Sequence, residues 1–376
     1  MIETTLDVQG NTLETLQGLL RSLFEQGVVD ALLVPMTQPG GKSVSPTLVV
    51  DPARLDRADP LAPVLPINAA RAVSGLTKTG HAQRLGVVLR SCEIRALVEL
   101  IKLLQARREG LVIVGLDCLG THELPDVGDR LREATDALLA GAATGDLKPA
   151  EGLELRIACT MCEHFTPEGD HVDLAIGLLG LDPAERLLVR ATDDVAQKLG
   201  LSQGEIPGTR RSVVERVTAA RVATRDEAFE AVRTRMQGNG LEGLLEEFAT
   251  CIRCHNCMIN CPICYCKECI FRTPTFDHES ERYYLWAARK GSVRMLSDTL
   301  LFQITRLNHM ATSCVGCGLC TSVCPSDIAV GTVFRALGAR VQALFDYHPG
   351  RSLDEAAPVQ EFREDELTAL GQRPRL

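Results

Sequence analysis

The sequence predicts an α/β N-terminal domain with a mainly parallel sheet, followed by a smaller α+β module with a helical insertion. Three observations carry this. Helical periodicity alternates with short Val, Ile and Leu runs over residues 1 to about 220. Eleven of the fifteen cysteines fall between Cys251 and Cys324, and one cysteine spacing occurs twice within that stretch. At 376 residues the chain is long enough to bury a core without disulfide staples.

Helices are expected over about residues 12–25, 93–106 and 129–140. The first keeps Leu13, Leu16, Leu19, Leu20, Leu23 and Phe24 on one face, with Asn11 or Thr12 to cap its start. Strands are expected at Val28–Val34, Leu85–Arg90, Leu111–Leu116, Leu153–Ala158 and Val172–Ile176, short apolar runs of the kind buried in parallel sheets. Three of these end beside a cysteine: Cys92, Cys118 and Cys159. Because the carboxyl ends of parallel strands share one edge, Cys92, Cys118, Cys159 and Cys162 are expected to converge there.

A charged helical stretch over Thr224–Phe248, broken at Gly238-Asn239-Gly240, reads as a linker, and Val333–Phe345 as an amphipathic helix. From Pro349 onward the chain is polar and punctuated by Pro and Gly, so it is expected to be disordered or docked on a partner. The expected divisions are an α/β domain over 1–225, a helical linker over 226–247, a cysteine-rich module over 248–335, and a C-terminal helix and tail over 336–376.

A net charge of −9 and the lack of a basic stripe argue against a nucleic-acid partner. Residues Met1 to Asp7 carry two acids and no Lys or Arg, unlike an export signal, and no run of about 18 apolar residues occurs. The expected setting is cytoplasmic, with no transmembrane segment. There, fifteen cysteines point to metal ligation before disulfides.

The repeated spacing is Cys251-x2-Cys254-x2-Cys257-x3-Cys261-Pro262 and Cys314-x2-Cys317-x2-Cys320-x3-Cys324-Pro325. This is the run of two-cluster bacterial ferredoxins, in which three closely spaced thiolates wrap one cubane and the fourth reaches the other. It assigns Cys251, Cys254, Cys257 and Cys324 to one [4Fe-4S] cluster, and Cys314, Cys317, Cys320 and Cys261 to a second. A ferredoxin-like module follows, with helices over Tyr283–Asn308 filling the gap between its halves. Paired zinc sites also use C-x2-C, but they do not explain the third cysteine and the C-x3-C-P endings. Backbone amides, with Gly316 and Gly318 beside the thiolates, are expected to tune the potential.

Seven cysteines remain. They are Cys92, Cys118, Cys159 and Cys162 with Cys264, Cys266 and Cys269, and their number allows one further all-cysteine cubane, with a free buried thiol as the alternative for any one of them taken singly. Cys264, Cys266 and Cys269 form a compact triad that could hold iron, zinc or a labile site. His255, inside the first cysteine loop, and His309 read as exposed or as neighbours of ligands.

The segment Cys251-Ile-Arg-Cys-His-Asn-Cys-Met-Ile-Asn-Cys-Pro-Ile-Cys-Tyr-Cys-Lys-Glu-Cys269 resembles the seven-cysteine pattern in the beta subunits of methanogen-type formate dehydrogenases. These belong to the larger family of coenzyme F-420 hydrogenase and dehydrogenase beta subunits. Residues Ser313 to Ile328, Ser91-Cys92-Glu93, Gly115-Leu116-Asp117-Cys118 and Ala158-Cys159-Thr160-Met161-Cys162-Glu163 resemble further family segments. The resemblance implies that Cys92, Cys118, Cys159 and Cys162 hold a third [4Fe-4S] cluster. It also implies FAD.

Where the family has Gly-Gly-x-x-Thr this chain reads Glu14-Thr15-Leu16-Gln17-Gly18, and its nearest pair, Gly40-Gly41, reads as a turn after Pro39. Pro66–Arg71 offers Asn68 and Arg71 as flavin contacts; the same segment also reads as an Asn-capped helix start. The implied function is an iron-sulfur electron-transfer subunit of a multi-subunit oxidoreductase. Its partner would be a catalytic subunit of formate dehydrogenase or hydrogenase type, or heterodisulfide-reductase-like subunits. The alternative is a self-contained FAD and iron-sulfur reductase acting on a diffusible substrate.

Overall fold

The computed structural model describes residues 1–79, 83–237, 240–358 and 360–361. Seven strands form one sheet: β1 (Ile2–Asp7), β2 (Ala31–Thr37), β3 (Val44–Val49), β4 (Leu85–Arg90), β5 (Leu111–Leu116), β6 (Leu174–Gly177) and β7 (Arg186–Ala191). Their order across the sheet is β1-β7-β6-β5-β4-β2-β3. The inner strands β2, β4, β5 and β6 are parallel, while β3 on β2, and β7 on both β6 and β1, are antiparallel.

The expected mainly parallel sheet is therefore mixed, and connection length explains why. A parallel neighbour needs a crossover of a dozen or more residues. The β2–β3 and β6–β7 links are shorter than that, so the chain turns straight back. Gly40 and Gly41 lie in the β2–β3 turn at φ +96° and +72°, so the only Gly-Gly pair near the N-terminus closes a hairpin. Pro35 lies beyond Leu33, the last residue of β2 paired with β4, so its missing N–H breaks no inner ladder.

Leu85–Arg90 and Leu111–Leu116 form strands with the expected limits, whereas Leu153–Ala158 does not form a strand. Residues 157–160 make a single helical turn instead. Leu153 packs in a small cluster with Val64 and Leu131, and Leu155 packs against the main core, so the two apolar side chains serve different neighbours.

Helix α1 (Thr12–Glu25) starts where Asn11 Oδ1 accepts the N–H of Glu14 at 2.9 Å, and buries Leu16, Leu20 and Leu23 against one sheet face with Val34, Val88 and Val114. Helices α2 (Ala70–Thr77) and α3 (Ser91–Lys102) cover the other face, where Val73, Ile94 and Leu97 meet Leu33, Val87 and Leu89. Alternate residues of β4 thus serve opposite cores, as the two-residue repeat of a strand requires.

The second core does not stop at the sheet. It continues through Val232, Phe248, Met258, Phe302, Val333 and Phe334 into the cysteine-rich half. One 29-residue helix, Thr209–Gln237, sets Val213 and Val217 into the first core and Val232 into the second. It runs across the division expected at 225/226. Of the expected break, Gly238 and Asn239 lie outside the described residues.

Helix Val330–Leu344 packs against this long helix. After it, the tail docks on α3: Glu99, fully buried, accepts from Tyr347 Oη at 2.5 Å and from the N–H of Gly350 at 2.8 Å, and Arg95 Nε donates to the Pro349 carbonyl at 2.8 Å. The described part of the tail is thus bound to its own chain; residues 362–376 lie outside the described set. Among the described residues no helix is long and apolar enough to cross a membrane.

Two stability predictions follow from these contacts. Tyr347→Phe removes one of two hydrogen bonds to a buried carboxylate and should cost about 1–3 kcal/mol in denaturant unfolding. Gly318 sits at φ +73°, where an added Cβ would lie 2.2 Å from Ala158 Cβ, in the seam between the two halves. Gly318→Ala should lower the thermal midpoint, with strain and overpacking together worth about 2–4 kcal/mol, and Ala158→Gly in the same chain should restore part of it.

Candidate metal centres

All fifteen cysteines are free thiols. Thirteen of them are partly or fully shielded, and Cys254 and Cys266 are exposed. They gather by fold position.

Cys251, Cys254, Cys257 and Cys324 line one cavity with His255, Phe302, Gln303 and Pro325. Arg253 and His255 hold left-handed φ values of 55° and 64° in this loop, which wraps the backbone tightly around the cysteine side chains. Burial pushes the Cys257 thiol up, Arg306 opposes that shift, and Cys251, Cys254 and Cys324 add to it.

Cys261, Cys314, Cys317 and Cys320 act on one another in the same way. Cys317 is pushed up to about 12 and Cys320 well above its ordinary value, in each case by burial first and then by the neighbouring thiols of this group. The loop that carries Cys314 to Cys320 has Gly316 and Gly318 at φ +72° and +73°, and an added Cβ at Gly316 would meet Arg335 Nε at 2.6 Å.

Cys92, Cys118, Cys159 and Cys162 line a third cavity together with Cys317, Arg90, Arg156 and Arg221. Cys92 stands in the first turn of α3 directly after β4, and Cys118 follows β5, with its N–H held by the Phe165 carbonyl at 2.7 Å. Cys159 and Cys162 come from the helical turn at 157–160 and the residues after it, not from a strand end. Burial pushes Cys118 up to about 11 and Cys92 well above its ordinary value. Thr121 Oγ1 lies 3.1 Å from Cys159 Sγ.

Sets of buried thiols that raise one another's pKa do not ionise readily by themselves; cations must accompany their thiolates. The fold supplies buried guanidinium groups at each set. Arg156, 3% exposed, donates to the Cys317 carbonyl at 3.3 Å and to Ser322 Oγ at 2.6 Å, with Glu123 3.4 Å away. Arg306, 5% exposed, donates to Cys257 Sγ and to the Cys257 carbonyl, each at 3.1 Å. Gln303 Nε2 donates to Cys251 Sγ at 3.5 Å. This donor chemistry fits thiolate-held iron-sulfur cubanes, and a cubane spreads its ligands over four corners. Among the described residues no three of His, Cys, Asp or Glu are grouped to hold a single metal ion.

Cys264, Cys266 and Cys269 follow the first loop. Burial and then Cys261 push Cys264 up to about 11, and Cys269 Sγ lies 3.6 Å from Met258 Sδ. His309 is exposed. His255 packs its ring 4.9 Å from that of Phe302, inside the first cavity. Asn68 Oδ1 accepts the N–H of Ala70 at 3.1 Å at the start of α2, and its Nδ2 is buried without a partner among the described residues. Arg71 donates to the Ile259 carbonyl and so ties α2 to the cysteine-rich half. Spacing alone does not reveal Arg156, Gln303 and Arg306. A sign was available for the last two: they stand beside Phe302, Ile304, Leu307 and Met310 on a helix that also buries Phe302 and Met310.

Residues 247–328 match the family model described as a 4Fe-4S dicluster domain. The F420-dependent formate dehydrogenase subunit beta of Methanocaldococcus jannaschii is 25% identical, over 73% of this chain and 76% of its own. The F420-dependent formate dehydrogenase 1 subunit beta of Methanococcus maripaludis is 24% identical over 91% of each. A chain of the F420-reducing [NiFe] hydrogenase complex from Methanosarcina barkeri overlaps 61% of this chain and 92% of its own, at 13% identity and a TM-score of 0.42. The resemblance carried by the cysteine segments thus extends along most of the molecule: this chain is similar to the beta subunits of F420-dependent formate dehydrogenases.

Proposed function

We propose that this chain is an iron-sulfur electron-transfer subunit of a multi-subunit oxidoreductase, relaying electrons between a catalytic partner and a further acceptor. Its ligand sets would be Cys251, Cys254, Cys257 and Cys324; Cys314, Cys317, Cys320 and Cys261; and Cys92, Cys118, Cys159 and Cys162. A [4Fe-4S] cluster at each would supply one-electron transfer.

The observation that carries this reading is the place of Cys317. It groups with the second cysteine set and also lines the cavity of Cys92, Cys118, Cys159 and Cys162. The second and third sets therefore adjoin, and the paired runs of the dicluster segment join the first set to the second. Three adjoining sets in series suit conduction through the chain. The protein's own residues bury the sulfur ligands, exclude water from them and put guanidinium groups beside them. Substrate oxidation belongs to the partner, of formate dehydrogenase or hydrogenase type as the relatives' names suggest, or to heterodisulfide-reductase-like subunits.

A second reading, a flavin-containing reductase acting on a diffusible substrate, has one observation in its favour. A groove of about 680 Å³ lies between helices Thr209–Gln237 and Val330–Leu344, within the size range of small-molecule sites. It is lined by Arg95, Arg225, Arg335 and Arg340 and reaches both Cys314 and Glu163, the neighbour of Cys162. An anionic flavin nucleotide seated there would touch the surroundings of two cysteine sets. Asn68 and Arg71, by contrast, are engaged at the start of α2 and with Ile259.

Iron, sulfide, zinc and extracted flavin per chain, measured on anaerobically purified protein, separate these readings. The relay is expected to show about twelve irons and acid-labile sulfide to match. Zinc in place of iron overturns both readings, and stoichiometric FAD moves the assignment to the reductase. Cys118→Ala and Cys254→Ala should each remove about four irons, and the double variant about eight. Equal iron in Cys118→Ala and the parent chain would remove Cys118 from the ligands. Cys317→Ala should lose one cluster and stop electron passage between donor and acceptor dyes, while His309→Ala keeps the full iron count.

A further inference from the structure

We infer that Gln303 and Arg306, carried on the insertion helix Thr299–Met310, raise the reduction potential of the cluster held by Cys251, Cys254, Cys257 and Cys324. This rests on the cluster assignment above and adds to it the two side chains that act on those sulfur ligands.

Arg306 is buried at 5% exposure, and among the described residues it has no carboxylate partner. Its polar contacts are Cys257 Sγ and the Cys257 carbonyl, at 3.1 Å each, and Gln303 Oε1, also at 3.1 Å. The guanidinium carbon stands 4.9 Å from the centre of the Phe334 ring and 5.5 Å from that of Phe302, so its remaining surroundings are largely aromatic. The nearby Arg253 is different: it is paired with Asp298. A buried cation without a counter-charge is costly, and a cation aimed at a sulfur ligand gains its counter-charge when that sulfur is a thiolate on a bound cluster.

Gln303 completes the arrangement. Its Oε1 orients the guanidinium, and its Nε2 donates to Cys251 Sγ at 3.5 Å. Two of the four sulfur ligands thus receive a donor from one helix, three residues apart and on one face. Reduction adds an electron to the cluster. Positive charge and hydrogen bonds to sulfur stabilise that added charge and so raise the potential. The second cluster set has Arg156 on the Cys317 carbonyl, but Glu123 stands 3.4 Å from that guanidinium and offsets its charge. Arg306 also acts through space on Cys261 and Cys320, but its hydrogen bonds, with that of Gln303, go to the first set, and in this the helical insertion distinguishes one half of the pseudo-symmetric module from the other.

The test is a redox titration of the full chain followed by electron paramagnetic resonance, on parent, Arg306→Gln, Arg306→Lys and Gln303→Leu proteins with iron counted in each. At a fixed potential, Arg306→Gln should lower the reduced-to-oxidised ratio of one cluster about tenfold, equivalent to about 59 mV for one electron, and move any other cluster by less. Gln303→Leu should move the same cluster in the same direction by a smaller step, and Arg306→Lys should stay closer to the parent. Full iron with an unchanged titration in both Arg306→Gln and Gln303→Leu overturns the inference. So does loss of iron from Arg306→Gln that Arg306→Lys does not restore, because that outcome makes the guanidinium a matter of shape and not of charge. Absence of iron from the parent chain would fail the cluster assignment itself, before any variant is compared.

Discussion

Arg156 holds the two halves of this molecule together at the point where their cysteines meet. Its buried guanidinium donates to the Cys317 carbonyl and Ser322 Oγ on the cysteine-rich side, while Thr121 Oγ1 and Glu123 lie 3.4 Å from it on the α/β side. A planar, five-donor fork suits this task in a way an ammonium group does not. The contact brings Cys317 to the wall of the cavity lined by Cys92, Cys118, Cys159 and Cys162. Gly318 makes the same approach possible from the backbone, since a side chain there would strike Ala158. The residue that positions the seam also carries the positive charge that buried sulfur requires.

That constraint explains why the expected domain division is weak in the folded chain. A free linker would let the two cysteine-bearing halves separate, and sulfur sites that adjoin need a rigid seam. The helix Thr209–Gln237 supplies one by setting Val213 and Val217 in one core and Val232 in the other. The tail supplies another where Tyr347 and Gly350 close over Glu99 of α3.

The legible parts of the fold were those whose residues had one task. Every residue of Leu85–Arg90 is buried, and the run is readable as a strand because it is short and rich in Val and Leu. The edge strands β1 and β3, and β7 beside β1, were not readable: Thr4 and Thr5, Pro46, and Arg186 and Arg190 dilute the apolar signal, and pairing with a neighbouring strand decides their state. Leu153–Ala158 misled because Leu153 and Leu155 are apolar for separate packing reasons and Arg156 is committed to the seam. In the candidate sites, cysteine spacing is local and was readable; the cavity shared with Cys317 is a product of tertiary packing and was not.

The same difference separates sulfur ligands from the side chains that act on them. A cubane loop imposes a short, repeated spacing because its thiolates must reach one object. A side chain that donates to sulfur can come from any element that passes nearby, so no spacing marks it. Gln303 and Arg306 arrive from a helix about fifty residues beyond the cysteines they face, and Arg156 lies 161 residues before Cys317. What does mark such residues is a cost: each is a polar side chain buried where an apolar one would pack as well, and two of the three carry a full charge. In a chain whose thiols are pushed towards protonation by burial, an ionised sulfur beside such a side chain offsets that cost, as Glu123 does in part for Arg156. Buried arginine next to buried cysteine is therefore the tertiary counterpart of the cysteine repeat, and it identifies which sulfur atoms the fold is built to hold as thiolates.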